Sequence, residues 1–315
     1  MTAPKHRQIA HPPMLRATQV TQAQAKAVRS HAKAGDKGWA LRWWWGAGLA
    51  LGAVLIAHAA VAAPAGDDPA DFDRAFQPHK AIYQLKMTSV RNMQRISSVS
   101  GEMFFEWGDA CEAWTTTQKF QLDYNYLEGG SQSYVSDYSS WEAKDGQTFS
   151  FTSKNLNNGR VHKVYRGSAE RQGAGDGEVD FSRPEEKQMD IPEGFLFPSE
   201  HTFELLEAAH NGKKIFGAVM FDGSDDDGPI LVNAVIGKRL DALSADEQPD
   251  EMLRGAGWSV RMAFFDFADE NTEANYEMTV TLLENGIVRD LVIDYDEFSL
   301  KGELVTIDAL DRCAN

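Results

Sequence analysis

The sequence has few cysteines, fewer basic than acidic residues and a single long apolar run. Its 315 residues include two cysteines and 31 Lys and Arg against 47 Asp and Glu, which gives a formal net charge of −16. Two cysteines outside any C-x-x-C pair argue against a thiolate zinc site and against thioredoxin-like chemistry. The acidic balance argues against partners that are themselves polyanions, such as nucleic acid or anionic lipid.

The common catalytic motifs are missing as well. The chain has no G-x-S-x-G, H-E-x-x-H, Walker A or G-x-G-x-x-G pattern. The acidic run Asp222–Gly228 fails the EF-hand pattern, because Asp227 replaces the turn glycine and Asn233 replaces the bidentate Glu, so we interpret it as a hairpin tip. His201 has no nucleophile motif nearby, and we interpret it as structural or solvent-facing. We therefore expect no catalytic residue, metal or cofactor, and little effect of His201→Ala or Asp226→Asn.

The one long apolar run, residues 46–63, indicates export. Basic residues precede it, and Ala60-Val61-Ala62 fits the small-x-small cleavage pattern of a signal peptide. The alternative is an uncleaved membrane anchor, with Trp43, Trp44 and Trp45 at the interface. Both interpretations deliver the rest of the chain outside the cytoplasm, and we expect the mature protein in the periplasm.

This assignment divides the chain into three parts. Residues 1–62 are the signal peptide, with a long n-region and an h-region over 46–62. Residues 63–78 form a polar leading segment, and residues 79–315 form a single domain. Removing residues 1–62 takes away eight basic residues and one acidic residue, which leaves 23 basic and 46 acidic residues and a net charge of −23.

The two cysteines, Cys111 and Cys313, both lie in the exported part. An even number of cysteines in an oxidising compartment predicts a disulfide. Closing a loop of about 200 residues stabilises a fold by an upper figure of about 5 kcal/mol. We expect the last strand-like run, near Ile307, to be an edge strand that this bond protects from fraying.

Alternating apolar and polar residues predict an all-β chain. The clearest alternation occurs in four runs: Tyr83–Met87, Phe120–Tyr126, Trp258–Phe264 and Tyr276–Leu282. Turn signals separate such runs, at Glu128-Gly129-Gly130, Asp145-Gly146, Asn157-Asn158-Gly159 and Asn285-Gly286. About a dozen strands at this spacing predict a barrel, a sandwich or an open curved sheet. Two polar stretches, residues 170–190 and 241–254, are predicted to be loops.

One segment has the pattern of an amphipathic helix over about residues 199–210. Ser199 is the expected N-cap, Glu200 lies in the first turn, and Asn211-Gly212 is the stop signal. Its apolar face is expected to pack on the sheet.

A series of short motifs follows in a fixed order along the chain. It consists of Leu196–Thr202 leading into Leu205, Asp222-Gly223, Ile236-Gly237, Glu284-Asn285-Gly286, Asp294-Tyr295 with Phe298, and one cysteine near each end. Together these motifs resemble the EipB family of alphaproteobacterial periplasmic proteins, over about residues 72–313. Ser199 stands where the family pattern suggests Thr, a change that keeps a capping hydroxyl.

The resemblance implies a mainly antiparallel sheet wound as a β-spiral or incomplete barrel, with a disulfide between Cys111 and Cys313. It also singles out the helix motif of Phe197, Pro198, Ser199 and His201, and it implies a role in cell-envelope integrity without a known catalytic activity.

The sequence therefore predicts a non-enzymatic periplasmic protein that binds a protein, a peptide or a lipid on the concave face of an open sheet. The alternative is a carrier of lipophilic cargo, similar to periplasmic lipoprotein-carrier half-barrels, which needs an enclosed apolar cavity. A third hypothesis is an envelope hydrolase, which would require titratable groups that converge in a cleft. No nucleic acid, metal or cofactor is expected, and the oligomeric state stays open.

Overall fold

In the part of the chain that the structure describes, fifteen strands form one continuous, mainly antiparallel sheet. The structure is a computed structural model and describes residues 75–91, 96–172, 175–267 and 273–314, so the predicted signal peptide lies outside the described residues. The strands are β1 (His79–Val90), β2 (Ile96–Asp109), β3 (Ala113–Tyr126), β4 (Ser131–Ala143), β5 (Thr148–Asn157), β6 (Arg160–Arg171), β7 (Gly177–Arg183), β8 (Lys187–Ile191), β9 (Phe195–Leu196), β10 (Ile215–Met220), β11 (Ile230–Leu240), β12 (Gly257–Asp266), β13 (Tyr276–Leu283), β14 (Val288–Asp294) and β15 (Phe298–Ala309). The all-β prediction is confirmed, with more strands than expected.

Two meanders meet at the middle of this sheet. The strand order is β8-β7-β6-β5-β4-β3-β2-β1-β15-β14-β13-β12-β11-β10-β9. The first strand pairs with the last along most of their lengths, from His79 opposite Ala309 to Val90 opposite Phe298. The prediction that the final run near Ile307 is an edge strand is therefore wrong. A distant pairing that sequence alternation does not reveal places β15 between β1 and β14.

The two edges of the sheet, β8 and β9, are neighbours in the chain and are separated only by residues 192–194. Lys187 Nζ on β8 donates to the Asp226 carbonyl oxygen, in the loop between β10 and β11, at 3.0 Å. A Cβ on Gly228 would lie 3.4 Å from the Met189 sulfur, so the Met189 side chain of β8 lies beside the backbone of the same loop. The sheet is thus nearly closed, and the expected incomplete barrel is confirmed.

The predicted loop over residues 170–190 is wrong. It contains the end of β6, all of β7 and most of β8. Val179 and Phe181 of β7 are buried in an aromatic cluster, and their burial outweighs the Gly and charge content of the segment. The second predicted loop, 241–254, is confirmed as irregular chain apart from a short 3-10 turn at Glu251–Leu253.

The predicted turns lie where the glycines allow a left-handed backbone. At Asn285-Gly286, Gly286 has a φ of 82°, a conformation that costs glycine little. A Cβ there would come within 2.3 Å of the Phe76 ring. This turn therefore needs glycine both for its backbone and for the packing beneath it.

The helix α1 spans Pro198–His210, one residue longer at its start than predicted. It connects β9 to β10, which form the one parallel pair in the described part of the sheet. At the other end, Gly212 has a φ of 74° and its N–H donates to the Ala209 carbonyl, so the predicted stop is confirmed. Among the described residues, no helix is long and apolar enough to cross a bilayer.

The antiparallel order gives the sheet two ends, which we call lower and upper. The lower end carries the turns at Cys111, Asp145-Gly146 and Asn285-Gly286, and the upper end carries the turns at Glu128–Gly130 and Asn158-Gly159 and the loop between β10 and β11. The buried face of α1 joins the largest core cluster, together with interior side chains of β1, β3 and β11 to β15. The helix therefore fills part of the sheet interior.

Candidate functional site

A buried carboxylate from the sheet holds the start of helix α1. Glu142 lies near the end of β4 and is 4% exposed. It accepts hydrogen bonds from the backbone N–H groups of Ser199 at 2.8 Å and Glu200 at 2.9 Å. Burial raises the pKa of Glu142 to about 7, although these two N–H groups act in the opposite direction. Glu142 therefore satisfies two free N–H groups of the first helical turn.

The predicted N-cap role of Ser199 is wrong for this reason. The N-cap position is Phe197, whose side chain makes no capping hydrogen bond, and Ser199 is buried inside the first turn. The predicted place of Glu200 in the first turn is correct, and its carboxylate accepts from the Phe197 N–H at 3.2 Å. The cap comes from a residue 57 positions earlier in the chain, which no local pattern reveals.

An ion pair closes the same end of the helix. The Arg171 guanidinium donates to both carboxylate oxygens of Glu200, at 3.1 and 2.7 Å, and to the Phe195 carbonyl at 2.9 Å. Such a two-point contact fixes geometry better than a single ion pair. Arg171 thereby ties β6 to the helix and to β9.

The residues of the predicted helix motif pack rather than converge on a catalytic group. The Phe197 ring stacks on Phe149 at 4.9 Å, and Pro198 occupies the first helical position. His201 is 5% exposed, so its solvent-facing interpretation is wrong and its structural one stands. Its ring meets Phe216 edge-on at 5.5 Å, and its Nε2 has no hydrogen-bond partner among the residues that the structure describes. Burial lowers the pKa of His201 to about 4, so the ring is neutral at pH 7.

The lower end is packed with aromatic rings beside the paired cysteines. Phe76, Trp107 and Trp114 are buried together, and Phe203 of α1 packs against all three rings. Cys111 and Cys313 are bonded, with their Cα atoms 5.0 Å apart. The disulfide therefore joins the β2–β3 turn to the segment after β15, at the end of the sheet where Phe203 of α1 packs against the aromatic rings.

The upper end of the interior is lined differently, by tyrosines that remain half-buried. We call this set the tyrosine mouth; its members are Tyr124, Tyr134, Tyr138, Tyr276 and Tyr295. On one wall the ring centroids follow one another, from Phe264 to Tyr276 at 4.4 Å and from Tyr276 to Tyr295 at 6.1 Å. Phe298, 5.0 Å from Tyr295 and 5.9 Å from Tyr124, continues the row to β3.

The opposite wall of the mouth, on β4 and β5, is polar. The Tyr134 hydroxyl donates to the Asn155 side chain at 3.2 Å, and the Tyr138 hydroxyl donates to the Asp222 carbonyl at 2.8 Å. Ser136 lies opposite Asn155 in the register and opposite Phe120, so it shares this interior face. The mouth therefore offers hydroxyl and amide groups facing aromatic rings.

The phenols of the mouth lie close enough to influence one another. Burial raises the pKa of Tyr295 above its ordinary value, and the phenols of Tyr124 and Tyr134 act in the same direction. Burial also raises the pKa of Tyr276, with Asp222 and Tyr295 adding to it. Rings from β3, β4, β13 and the β14–β15 turn thus converge on one space.

The acidic loop beside the mouth is a hairpin connection, as predicted, and most of its residues are partly buried. Burial raises the pKa of Asp222, and it raises the pKa of Asp225 to about 6, with Asp222, Asp227 and Asp266 adding to the latter shift. Asp225 also accepts from the Asp227 N–H at 3.0 Å. This loop supplies negative charge to one side of the mouth.

Sequence reasoning identified the strand runs that carry Tyr124 and Tyr276, but not the strand of Tyr134 and Tyr138 and not the mouth itself. The alternation in Phe120–Tyr126 correctly gives one face to Phe120, Leu122 and Tyr124. It does not show that Leu122 is fully buried while Tyr124 stays half-buried, because that difference depends on contacts with residues that are distant in the chain. A useful signal was the recurrence of Tyr on interior-facing strand positions.

Comparison with known proteins finds relatives that are similar to this chain in sequence and in structure. A family model described as EipB-like matches residues 71–311. The chain is 31% identical over 244 residues to the cell envelope integrity protein EipB of Brucella abortus, which covers 76% of this chain and 86% of that protein. A crystal structure of a beta-barrel-like protein of a domain of unknown function from Brucella abortus superposes with a TM-score of 0.68 at 31% identity, covering 75% of this chain and 99% of that one.

Proposed function

The chain belongs to the EipB-like family, and from this membership we propose that it supports cell-envelope integrity from the periplasm as a binding protein rather than an enzyme. Its relative in Brucella abortus is named a cell envelope integrity protein. The Cys111–Cys313 bond supports the periplasmic location, because disulfides persist in oxidising compartments.

The binding site in this proposal is the tyrosine mouth. The observation that carries it is the half-burial of interior-facing rings such as Tyr124, Tyr276 and Tyr295, while side chains on the buried face of α1, such as Leu205 and Leu206, are 2% exposed or less. These rings are only partly covered by the described residues. A binding partner that covers them would bury their aromatic surface, which favours binding.

The composition of the mouth favours a polypeptide segment as the occupant. Tyr hydroxyls with Ser and Asn side chains supply rigid contact area and adaptable hydrogen bonds, as in antibody binding surfaces. An acyl chain would displace water from polar groups such as Ser136 and Asn155. It has no donor or acceptor to take the place of that water, which costs about 1–3 kcal/mol for each group. A polypeptide replaces that water with its own N–H and C=O groups.

Mass spectrometry of material extracted from the purified, exported protein tests this proposal. We expect peptide to be recovered with the wild type and to be lost with Tyr124→Ser/Tyr295→Ser, which removes two rings from the aromatic wall of the mouth. Trp141→Ser is the matched control, because Trp141 is 40% exposed and alternates with the interior-facing Glu142 on β4. It should retain the wild-type material.

The same variants can be tested in cells. In a strain lacking the gene, the double tyrosine variant should fail to restore resistance to detergent, while Trp141→Ser restores it. Recovery of lipid instead of peptide, lost in the same variant, would favour the carrier alternative. Full complementation by a folded double variant would remove the mouth from the function.

A further inference from the structure

The two edge strands leave a seam in the sheet. In the described part of the sheet, β8 pairs with β7 and β9 pairs with β10, and no ladder of hydrogen bonds joins β8 to β9. Residues 192–194 connect the two edges through the chain. The loop of residues 221–229, which joins β10 to β11 at the upper end, contacts strands on the far side of this seam. We call it the latch loop.

The tip of the latch loop reaches across the seam by side-chain contacts. The Lys187 ammonium on β8 donates to the Asp226 carbonyl at 3.0 Å, and the Lys163 ammonium on β6 lies 3.8 Å from the Asp226 carboxylate. The Met189 side chain of β8 lies beside Gly228. Both lysines are exposed, and exposed ion pairs add little stability because water competes for both charges. The tip is therefore held less firmly than a paired strand.

The base of the latch loop is anchored, and glycines flank its tip. Phe221 is fully buried, and its ring meets the Phe151 ring at 5.6 Å. Gly223 and Gly228 have φ angles of 65° and 120°, which only glycine adopts at little cost. Movements of loops commonly turn on a few such positions. Residues 224–227 thus form a short segment between two hinge positions.

The latch loop also forms one side of the tyrosine mouth. The Tyr138 hydroxyl on the polar wall donates to the Asp222 carbonyl at 2.8 Å. On the aromatic wall, burial raises the pKa of Tyr276, and the carboxylates of Asp222 and Asp225 add to that shift. The loop therefore lies between the two walls of the mouth and at the seam. Displacing its tip would extend the mouth sideways into the seam.

We propose that the latch loop is a gate: when its tip leaves Lys163 and Lys187, the mouth opens along the seam and a polypeptide segment enters or leaves sideways. The gate rests on the proposed function, because it regulates access to the same mouth. A sideways path suits an internal segment of a polypeptide, whose ends cannot thread through the upper opening when they belong to folded parts. The open edges of β8 and β9 would also offer backbone groups to such a segment.

Hydroxyl-radical footprinting read by mass spectrometry tests the gate without any ligand. Lys163→Ala/Lys187→Ala removes both polar contacts of the tip, and oxidation of Tyr138 and Tyr276 should rise at least threefold because a displaced tip uncovers them. Far-UV circular dichroism should match the wild type, since both lysines are exposed.

A matched control separates the gate from a general loss of surface charge. Lys86→Ala/Lys119→Ala removes two exposed lysines that form ion pairs on β1 and β3, away from the seam. Oxidation of the two tyrosines should then stay at the wild-type level. Unchanged oxidation in the latch variant, or an equal rise in both variants, would overturn the gate.

A covalent lock tests passage through the seam. Lys187→Cys/Asp226→Cys, joined by a bismaleimide, should slow the release of copurified peptide at least tenfold after dilution. The native disulfide leaves no other thiol for the reagent. The same crosslink in Lys119→Cys/Asp137→Cys, at an exposed ion pair between β3 and β4, should leave the release rate unchanged.

The two experiments distinguish the gate from the proposed function. Equal release rates in the two crosslinked proteins would overturn the gate even when peptide is bound. If no peptide copurifies, the proposed function fails, and the footprinting of Tyr138 and Tyr276 still decides whether the latch loop opens the mouth.

Discussion

The two ends of the sheet are built from the same long strands, yet interior side chains are closely packed at the lower end and only half-buried at the upper end. At the lower end, Phe203 packs on Trp107 and Trp114, and the Cys111–Cys313 bond lies beside them. At the upper end, Tyr124, Tyr276 and Tyr295 stay half-buried. The difference arises because one 13-residue helix fills only part of the interior of a fifteen-strand sheet.

This comparison separates stability from binding within one fold. The lower end has buried apolar side chains, a helix capped by Glu142 and a covalent bond. The upper end combines aromatic rings with polar side chains and negative charge from the Asp222–Gly228 loop. Regions with less burial are the ones a protein can use for ligands without unfolding its core.

The largest test of the comparison is the disulfide. Cys313→Ser should lower the free energy of unfolding by about 3–5 kcal/mol, because the bond constrains a loop of 202 residues in the unfolded chain. Urea unfolding with and without reductant measures the difference, and far-UV circular dichroism below the midpoint should stay unchanged. Since β15 is an interior strand, the loss should be global rather than a local fraying. Identical unfolding curves would contradict the prediction.

A core substitution compares the two ends directly. Leu206→Ala, at a position that is 1% exposed against the sheet interior, should cost about 3 kcal/mol. Tyr295→Phe, in the half-buried mouth, should cost less than about 1 kcal/mol, because the change removes one hydroxyl and keeps the packed ring. Urea midpoints of the two variants give the result. A larger loss at Tyr295 would mean that the mouth is part of the structural core.

The smallest effect concerns pH and two buried groups at helix α1. The pKa of Glu142 is raised from 4.5 to about 7, so its contribution to stability is present below pH 4.5 and is lost as the pH rises through 7. The pKa of His201 is lowered from 6.5 to about 4, so its contribution is present above pH 6.5 and is lost as the pH falls through 4. The two trends oppose each other in the wild type.

Single variants should reveal these opposed trends. Between pH 4.5 and 6.5, Glu142→Gln should become more stable with rising pH, and His201→Leu should become less stable, each by about 1–3 kcal/mol relative to the wild type. Urea unfolding across this range measures both slopes. His201→Ala, expected from the sequence to be nearly silent, should cost about 1–2 kcal/mol because the side chain is buried. Parallel curves for all proteins would refute the assignment of these pKa shifts.

The sequence by itself determined the class of the fold and much of its local geometry. Period-two alternation in runs such as Trp258–Phe264 sets strand and face, and Asn285-Gly286 sets a tight turn, because both are local consequences of backbone sterics. The stop of α1 at Gly212 follows from the same kind of signal.

Only the tertiary structure decided what depends on contacts between distant residues. It placed β15 beside β1, turned residues 177–191 into strands against the rest of the sheet, and capped α1 with Glu142 instead of Ser199. Which interior side chains remain half-buried also depends on how much volume α1 occupies, a quantity that no window of sequence contains. Alternation tells which face a side chain occupies, and the packing of the whole sheet decides whether that face becomes a core or a binding site.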